Sequence, residues 1–221
     1  NKINKYFDLI ITDDKNNEKS DLEIFIHLSN YGFNQFGHID ICYDGKIYSY
    51  GNYDNNSKKL FAAIGDGILF ELTKKKKYIE FCINNNKKTI VEYGLKLTDK
   101  QKKNVEKELN KILKDSYIWK PDLKRKKDYI VKLYKNVKPK FYKFNSGEYK
   151  TYFLMGVNCT YFPKQILMNN ESNILKIVGV LSPGTYYQFL EEEYRNKNSN
   201  VISKKIYNKD TIGGKYVKNK K

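Results

Sequence analysis

Several kinds of residue are scarce in this sequence, and each scarcity limits what the protein can be. Only two of the 42 basic residues are arginine, Arg125 and Arg195. Nucleic-acid-binding proteins rely on arginine for bidentate contacts with phosphates and bases, so this composition argues against a nucleic-acid partner. No apolar run approaches ~18 residues, so the sequence predicts no transmembrane helix. Hydrophobic residues still make up 40% of the chain and aromatic residues 15%, which excludes a wholly disordered protein.

Potential metal ligands are also few. The chain has three cysteines and two histidines, and the cysteines show neither CxxC spacing nor a zinc-binding pattern. We therefore predict no metal and no cofactor. Because the number of cysteines is odd, at least one thiol is free of an internal disulfide, and a free thiol can serve as a nucleophile.

Lysine is abundant, and it dominates the formal net charge of +17. Such a charge favours contact with an anionic cell-wall polymer or an anionic membrane surface, although a lysine-rich surface can also be simply solvated. The sequence begins at Asn1 without a methionine, from which we expect that a segment was removed upstream. We therefore expect the protein in the cell envelope or outside the cell.

The order of the predicted elements indicates the fold class. No Pro- or Gly-rich linker divides the 221 residues, which predicts a single domain over residues 1–221, with a flexible Lys-rich tail at 210–221. Strands are predicted first, at residues 6–12 and 22–28, and mixed helices and strands follow. Because regular βα alternation is missing, we predict an α+β fold rather than a doubly wound sheet.

Residues 36–51 have the pattern of a β-hairpin. Apolar residues alternate on both sides of Asp44-Gly45, a dipeptide that suits a two-residue turn with positive φ angles. Because side chains alternate along a strand, His38 and Asp40 should share one face of the first strand. The turn predicts that Asp40 pairs with Ser49, so that Ser49 lies diagonally across from His38 and within its reach.

Cys159 lies where an extended run gives way to a predicted helix at residues 160–168. Pro163 is tolerated there because it falls in the first helical turn. Unpaired backbone N–H groups at a helix start favour negative charge, which makes this position suitable for a thiolate. Cys42 is the rival nucleophile because it shares a strand face with His38, but it lacks a helix terminus.

These motifs together resemble a known group of enzymes. Gly37-His38 before an Asp-Gly hairpin, a later Asn158-Cys159-Thr160 at a helix start, and flanking segments at 97–119 and 181–184 resemble the circularly permuted papain-like cysteine hydrolases. That group includes the permuted NlpC-type and YiiX-like bacterial proteins and the lecithin:retinol acyltransferase family. In these proteins the histidine precedes the cysteine, as it does here.

The resemblance implies a fold and a set of roles. It implies an antiparallel sheet packed against a Cys-bearing helix, with Cys159 as nucleophile, His38 as base and Ser49 as the third polar residue. It implies a bacterial cysteine hydrolase or acyltransferase whose substrate is a peptide or a lipid acyl group, the peptide crosslinks of peptidoglycan first and lipid esters second. Backbone N–H groups at the helix start would hold the oxyanion.

Two alternatives remain open at this point. The family more often has His, Glu, Gln or Asn where this chain has Ser49, so the chain could instead be a catalytically weak or inactive module that binds an anionic envelope ligand. The orienting residue is also open. We expect Ser49 rather than Asp40 to hold the His38 ring, because Ser49 approaches across the hairpin whereas Asp40 stands beside it. His27, on the preceding strand, receives no catalytic role.

Overall fold

The structure combines eleven strands and five helices in the part of the chain that it describes. It is a computed structural model and describes residues 11–14, 18–28, 36–86, 88–169, 171–179 and 181–208. The strands are β1 Ile11–Asp14, β2 Leu22–Leu28, β3 Phe36–Tyr43, β4 Lys46–Gly51, β5 Ile64–Asp66, β6 Ile68–Leu72, β7 Thr89–Leu95, β8 Ser116–Trp119, β9 Lys140–Phe144, β10 Thr151–Phe153 and β11 Val201–Tyr207. The helices are α1 Lys75–Asn86, α2 Asp99–Lys114, α3 Tyr129–Val137, α4 Tyr161–Leu167 and α5 Pro183–Arg195.

Nine of these strands form one antiparallel sheet in the order β1-β11-β7-β2-β3-β4-β6-β9-β8, and β10 pairs with β5 in a second, two-stranded sheet. Helices cover both faces of the large sheet. Apolar residues of α2, α4 and α5 form a core on one face, and those of α1 and α3 form a core on the other. The predicted α+β class with an antiparallel sheet is therefore confirmed.

The predicted hairpin is present as β3 and β4. Asp44 and Gly45 both have positive φ angles, 48° and 70°, as a primed two-residue turn requires. The register pairs Tyr43 with Lys46 and Ile41 with Tyr48, as the turn predicts. Successive residues of β3 therefore point into different cores. Ile41 packs with α2, α4 and α5, whereas Cys42 packs with α1 and α3.

Helix starts follow the local signals in the sequence. Thr98 and Gln101 form a reciprocal capping box at the start of α2, and Ser182 accepts a hydrogen bond from the Thr185 N–H at the start of α5. The sequence after α5 predicts a last strand at residues 201–207, and β11 has these bounds. Helix α4 is two residues shorter than predicted, with Thr160 as its N-cap.

One segment differs from expectation. The sequence predicts a turn at residues 116–121, but these include the edge strand β8, because pairing with β9 supplies hydrogen bonds that the local sequence does not reveal. The apolar run at 174–181, to which the sequence assigns no helix or strand, is irregular where it is described, and its Ile174 and Leu175 enter the core. Residues 6–10 of the first predicted strand and the tail from 209 onward lie outside the described residues.

Candidate active site

His38 lies near the start of β3, at an irregularity in the sheet. His27 of β2 pairs with His38, but the next β2 residue, Leu28, pairs with Phe36, so Gly37 is an extra residue on β3. Such a β-bulge bends the strand and turns the neighbouring side chains. The bulge thus sets the direction of the His38 side chain, which remains 15% exposed.

Three oxygen atoms surround one nitrogen of the His38 ring. The Nε2 atom lies 2.7 Å from Ser49 Oγ, 2.8 Å from Asp40 Oδ1 and 3.0 Å from Tyr53 Oη. The hydroxyls of Ser49 and Tyr53 are also hydrogen-bonded to each other, at 2.7 Å. Asp40 Oδ1 makes no aligned hydrogen bond, so its contact with His38 is an ion pair. Ser49 and Tyr53 therefore fix the plane of the ring, and Asp40 supplies the charge beside it.

Asp40 is fully buried and is shared by three side chains. Its Oδ2 atom accepts a hydrogen bond from His27 Nε2 at 2.6 Å and another from the Tyr78 hydroxyl of α1 at 2.7 Å. A buried carboxylate is unfavourable unless it is paired and hydrogen-bonded, and here both conditions are met. These contacts hold the carboxylate in place against His38.

The two histidines have opposite charge preferences. Burial acts against the charge of His38, but the Asp40 carboxylate and the hydrogen bond with Cys159 outweigh it and raise the pKa of His38 to about 9. Burial dominates for His27 and lowers its pKa to about 4, although Asp40 opposes that shift. Asp40 is also buried, yet the charges of His38 and His27 and the hydrogen bond from His27 hold its pKa well below the ordinary value. At neutral pH, His38 is therefore a cation, His27 is neutral and Asp40 is an anion.

Cys159 completes the cluster from a distant part of the chain. It lies two residues before α4, is 9% exposed and forms a hydrogen bond with His38. It also lines a cleft of about 860 Å³, whose walls are mainly apolar and carry no carboxylate. The other residues that line this cleft are Gly37, Tyr152, Leu154, Met155, Gly156, Asn158, Thr160, Tyr161, Lys164, Met168, Ile177, Gly179, Leu181, Ser182 and Pro183. A second, more polar cleft reaches His38 from the side of His27 and Tyr53. The two clefts meet at Gly37.

The backbone N–H groups that follow Cys159 are already occupied. The Thr160 N–H donates to Asn158 Oδ1 at 2.9 Å, and the Tyr161 N–H donates to the Asn158 carbonyl at 3.1 Å. They are therefore not free to bind an oxyanion, contrary to the sequence-based expectation. The backbone of Cys159 itself forms a hydrogen bond with the Tyr152 hydroxyl. Burial raises the pKa of the Tyr152 phenol and this bond opposes the rise, so its donor is the Cys159 N–H.

The other two cysteines lie away from this cluster. Cys42 packs in the core beneath α1 and α3, and burial together with the neighbouring Glu23 raises its pKa far above the ordinary range. Cys82 lies on α1, and burial together with the Asp40 charge raises its pKa to about 12. Neither thiol can readily become a thiolate at neutral pH, so the structure favours Cys159 over Cys42 as the nucleophile.

The structure brings together the predicted His38, Ser49 and Cys159. It corrects the expectation that Ser49 holds His38 without Asp40, because both contact the same ring nitrogen. Sequence reasoning also missed His27, Tyr53 and Tyr78. The alternation of β2 offered a signal for His27, since it faces the same side of the sheet as Asp40. Tyr53, in a polar loop, and Tyr78, on a helix face, gave no such signal.

Comparison with other proteins does not identify the chain: no family model, no curated protein and no solved structure matches it.

In the described part of the chain, no helix is both long enough and apolar enough to cross a membrane. The same residues contain no group of three or more His, Cys, Asp or Glu side chains arranged to hold a metal ion. The chemistry of the site must therefore be argued from its own geometry.

We predict that iodoacetamide modifies Cys159 first in the folded protein. Cys159 lines an open cleft and is hydrogen-bonded to a cationic imidazole, whereas Cys42 and Cys82 are buried and hard to ionise. Peptide mapping by mass spectrometry after short exposure near neutral pH measures the three rates. His38→Gln should slow the reaction of Cys159 and leave that of Cys82 unchanged. Faster modification of Cys42 or Cys82 would contradict the assignment of the nucleophile.

The two histidines also predict how stability depends on pH. His38 has a raised pKa, so its stabilisation is fully present below about pH 6.5 and is lost as the pH rises through about 9. His27 has a lowered pKa. Between about pH 6.5 and 4, its side chain is therefore protonated in the unfolded chain but not in the folded chain. The free energy of unfolding consequently falls as the pH drops through this range. The free energy of unfolding should therefore be greatest near pH 6.5.

Urea denaturation at a series of pH values tests this prediction. His27→Gln should flatten the acid limb of the profile, and His38→Gln should flatten the alkaline limb. Each variant serves as the control for the other, because both replace a ring nitrogen by an amide at the same carboxylate. If both variants kept the wild-type profile, the opposite charge states assigned to the two rings would be wrong.

Proposed function

We propose that this protein is a cysteine hydrolase or acyltransferase of the circularly permuted papain-like type, acting on amide or ester bonds. The observation that carries the proposal is the contact of Cys159 with His38, whose charge the buried Asp40 carboxylate supports. A thiol, an imidazole and an orienting carboxylate are the parts that nucleophilic catalysis by cysteine requires. The histidine precedes the cysteine in the chain, as in the permuted group.

The site supports a two-step reaction. The Cys159 thiolate attacks the carbonyl carbon, and the tetrahedral intermediate collapses as protonated His38 gives its proton to the leaving amine or alcohol. Forming the thioester removes the negative charge of Cys159, one of the causes that raise the pKa of His38. His38 then becomes a better base and accepts a proton from water or another acceptor, which attacks the thioester, takes the acyl group and releases the Cys159 thiolate beside protonated His38.

The oxyanion of the intermediate needs hydrogen-bond donors near Cys159. Because Asn158 occupies the N–H groups of Thr160 and Tyr161, and the Tyr152 oxygen occupies that of Cys159, we assign this role to the Tyr152 hydroxyl. The Tyr152 ring is buried, and its hydroxyl can accept the Cys159 N–H bond while it donates its own proton toward substrate. Tyr152 thus replaces the helix-start donors that the sequence suggested.

The alternative, an inactive module that binds an anionic envelope ligand, loses much of its support. It rested on Ser49 as a weak third residue, and Asp40 now adds a charge at 2.8 Å from His38. Among the substrates considered, the apolar cleft supports an acyl chain more than a polar peptide crosslink. We therefore propose lipid-type acyl groups ahead of peptidoglycan peptides, with a bacterial envelope or extracellular location for the enzyme.

Acylation of Cys159 by a synthetic ester tests the function directly. Incubation with p-nitrophenyl acyl esters should release nitrophenol and add one acyl group to Cys159, detected by mass spectrometry. His38→Gln should lower turnover by roughly 100-fold or more, as expected for loss of a general acid and base. Cys82→Ala should behave as the wild-type enzyme does. A protein that retains ester binding but shows neither turnover nor an acyl adduct would be the inactive module.

Variants of the supporting residues separate their roles. Asp40→Asn should lower turnover by roughly 100-fold because the imidazolium loses its counter-charge, whereas Ser49→Ala should lower it only several-fold because it removes one neutral hydrogen bond. Tyr152→Phe should lower kcat by roughly 10- to 100-fold with little change in KM, since its hydroxyl acts on the transition state. Circular dichroism controls for folding. Equal effects of Asp40→Asn and Ser49→Ala would return the orienting role to Ser49.

A further inference from the structure

Large apolar side chains are exposed around the mouth of the Cys159 cleft. Among the described residues, nine large hydrophobic side chains are exposed, and six of them belong to three segments near this mouth. We call these six the apolar rim: Leu60, Phe61, Phe153, Leu154, Met155 and Val178. Phe61, Val178 and Met155 are the most exposed, at 108%, 92% and 83%. Isolated exposed apolar residues are ordinary, but a cluster at the opening of a cleft indicates a binding surface.

Two segments of the rim, at 153–155 and 178, lie along the cleft, and the third, at 60–61, is hydrogen-bonded through its loop to the first. Leu154 and Met155 line the cleft, and so do Ile177 and Gly179, the neighbours of Val178. The Leu154 N–H donates to the Ala63 carbonyl at 2.9 Å, and Phe153 pairs with Ile64 in the two-stranded sheet. These bonds place the loop that carries Leu60 and Phe61 beside the cleft segment.

That loop holds its apolar residues outward in an unfavourable backbone conformation. Leu60, Phe61 and Ala62 have φ angles of 47°, 54° and 68°, and successive left-handed residues other than glycine are unfavourable. Neighbouring contacts maintain the conformation: Asn52 donates to the Ala62 carbonyl at 3.1 Å, and Lys143 binds Asp54 and Asp66, which lie on either side of the loop. The fold therefore keeps Phe61 in solvent despite this strain.

The charge next to the rim is mainly positive, because the nearby carboxylates of Asp54 and Asp66 are paired with Lys143. Lys58 and Lys59 directly precede Leu60, and Lys164 lines the cleft. The sequence has no Asp or Glu at residues 55–63, 149–170 or 173–181, which contain the whole rim. Apolar tips flanked by lysines complement a lipid bilayer with anionic headgroups, whose acyl region accepts the tips and whose surface attracts the lysines.

We propose that the apolar rim docks the protein on an anionic phospholipid bilayer, with the mouth of the Cys159 cleft facing the lipid. The docking depends on Phe61, Met155 and the adjoining lysines and needs no reaction at Cys159. A failure of docking and a failure of the proposed enzymatic function can therefore be distinguished, because docking is measured with Cys159→Ala as well as with the wild-type protein.

Sedimentation with vesicles tests the proposal. The protein should bind vesicles of phosphatidylcholine and phosphatidylserine, bind phosphatidylcholine alone much less, and dissociate as salt is added. Phe61→Ser together with Met155→Ser should weaken binding by roughly 10-fold, since two apolar side chains no longer enter the lipid. Ile118→Ser, at an exposed apolar residue of the edge strand β8, should have no effect. Unaltered binding by the rim variant would overturn the proposal, as would a lack of binding by the wild-type protein.

Matched charge variants separate a docking face from general attraction. Lys58→Gln with Lys59→Gln removes the same charge as Lys100→Gln with Lys103→Gln, and all four lysines are exposed. Only the first pair should weaken binding markedly, and equal losses would show that net charge alone holds the protein.

Tryptophan fluorescence locates the docking face. The emission of the tryptophan introduced by Phe61→Trp should shift to the blue on phosphatidylserine vesicles, and that of the tryptophan introduced by Ile118→Trp should not. A shift at Ile118→Trp alone would place the docking face elsewhere.

Discussion

A single buried carboxylate, that of Asp40, determines how the candidate site is arranged. It lies between two imidazole rings and a phenol, and it is completely removed from solvent. A buried anion is tolerated only where its surroundings supply charge and hydrogen bonds. The neutral His27 and Tyr78 bind one oxygen atom and hold the carboxylate in position, while the other oxygen atom faces His38. The cationic state of His38 follows from this arrangement.

The site also depends on segments that are distant in sequence. The β-bulge at Gly37 directs His38, helix α1 brings Tyr78 to Asp40, and the chain before α4 brings Cys159 to the ring. Two clefts of different character share Gly37, the residue before His38: an apolar cleft lined by Cys159 and a more polar one lined by His38 and Tyr53.

Local patterns in the sequence were sufficient to predict much of this fold. The Asp44-Gly45 turn fixed the hairpin register and therefore the contact of His38 with Ser49, and the capping box at Thr98 located α2. The sequence predicts that Asp40 stands beside His38 rather than facing its ring, because a regular strand holds side chains two residues apart in parallel. The bulge at Gly37 changes the direction of His38, and it becomes visible only when β2 is paired with β3. Edge strand β8 and the role of Tyr78 likewise depend on tertiary pairing, which no local pattern encodes.

The chain contains only two histidines, so their titration can be followed without ambiguity. A series of two-dimensional nuclear magnetic resonance spectra of the imidazole nitrogens, recorded across pH, measures both rings at once. We expect one ring to titrate at about pH 9 and the other at about pH 4, and Asp40→Asn to lower the higher value markedly. Titration of both rings near the ordinary value of about 6.5, unchanged in Asp40→Asn, would contradict the central role assigned to the Asp40 carboxylate.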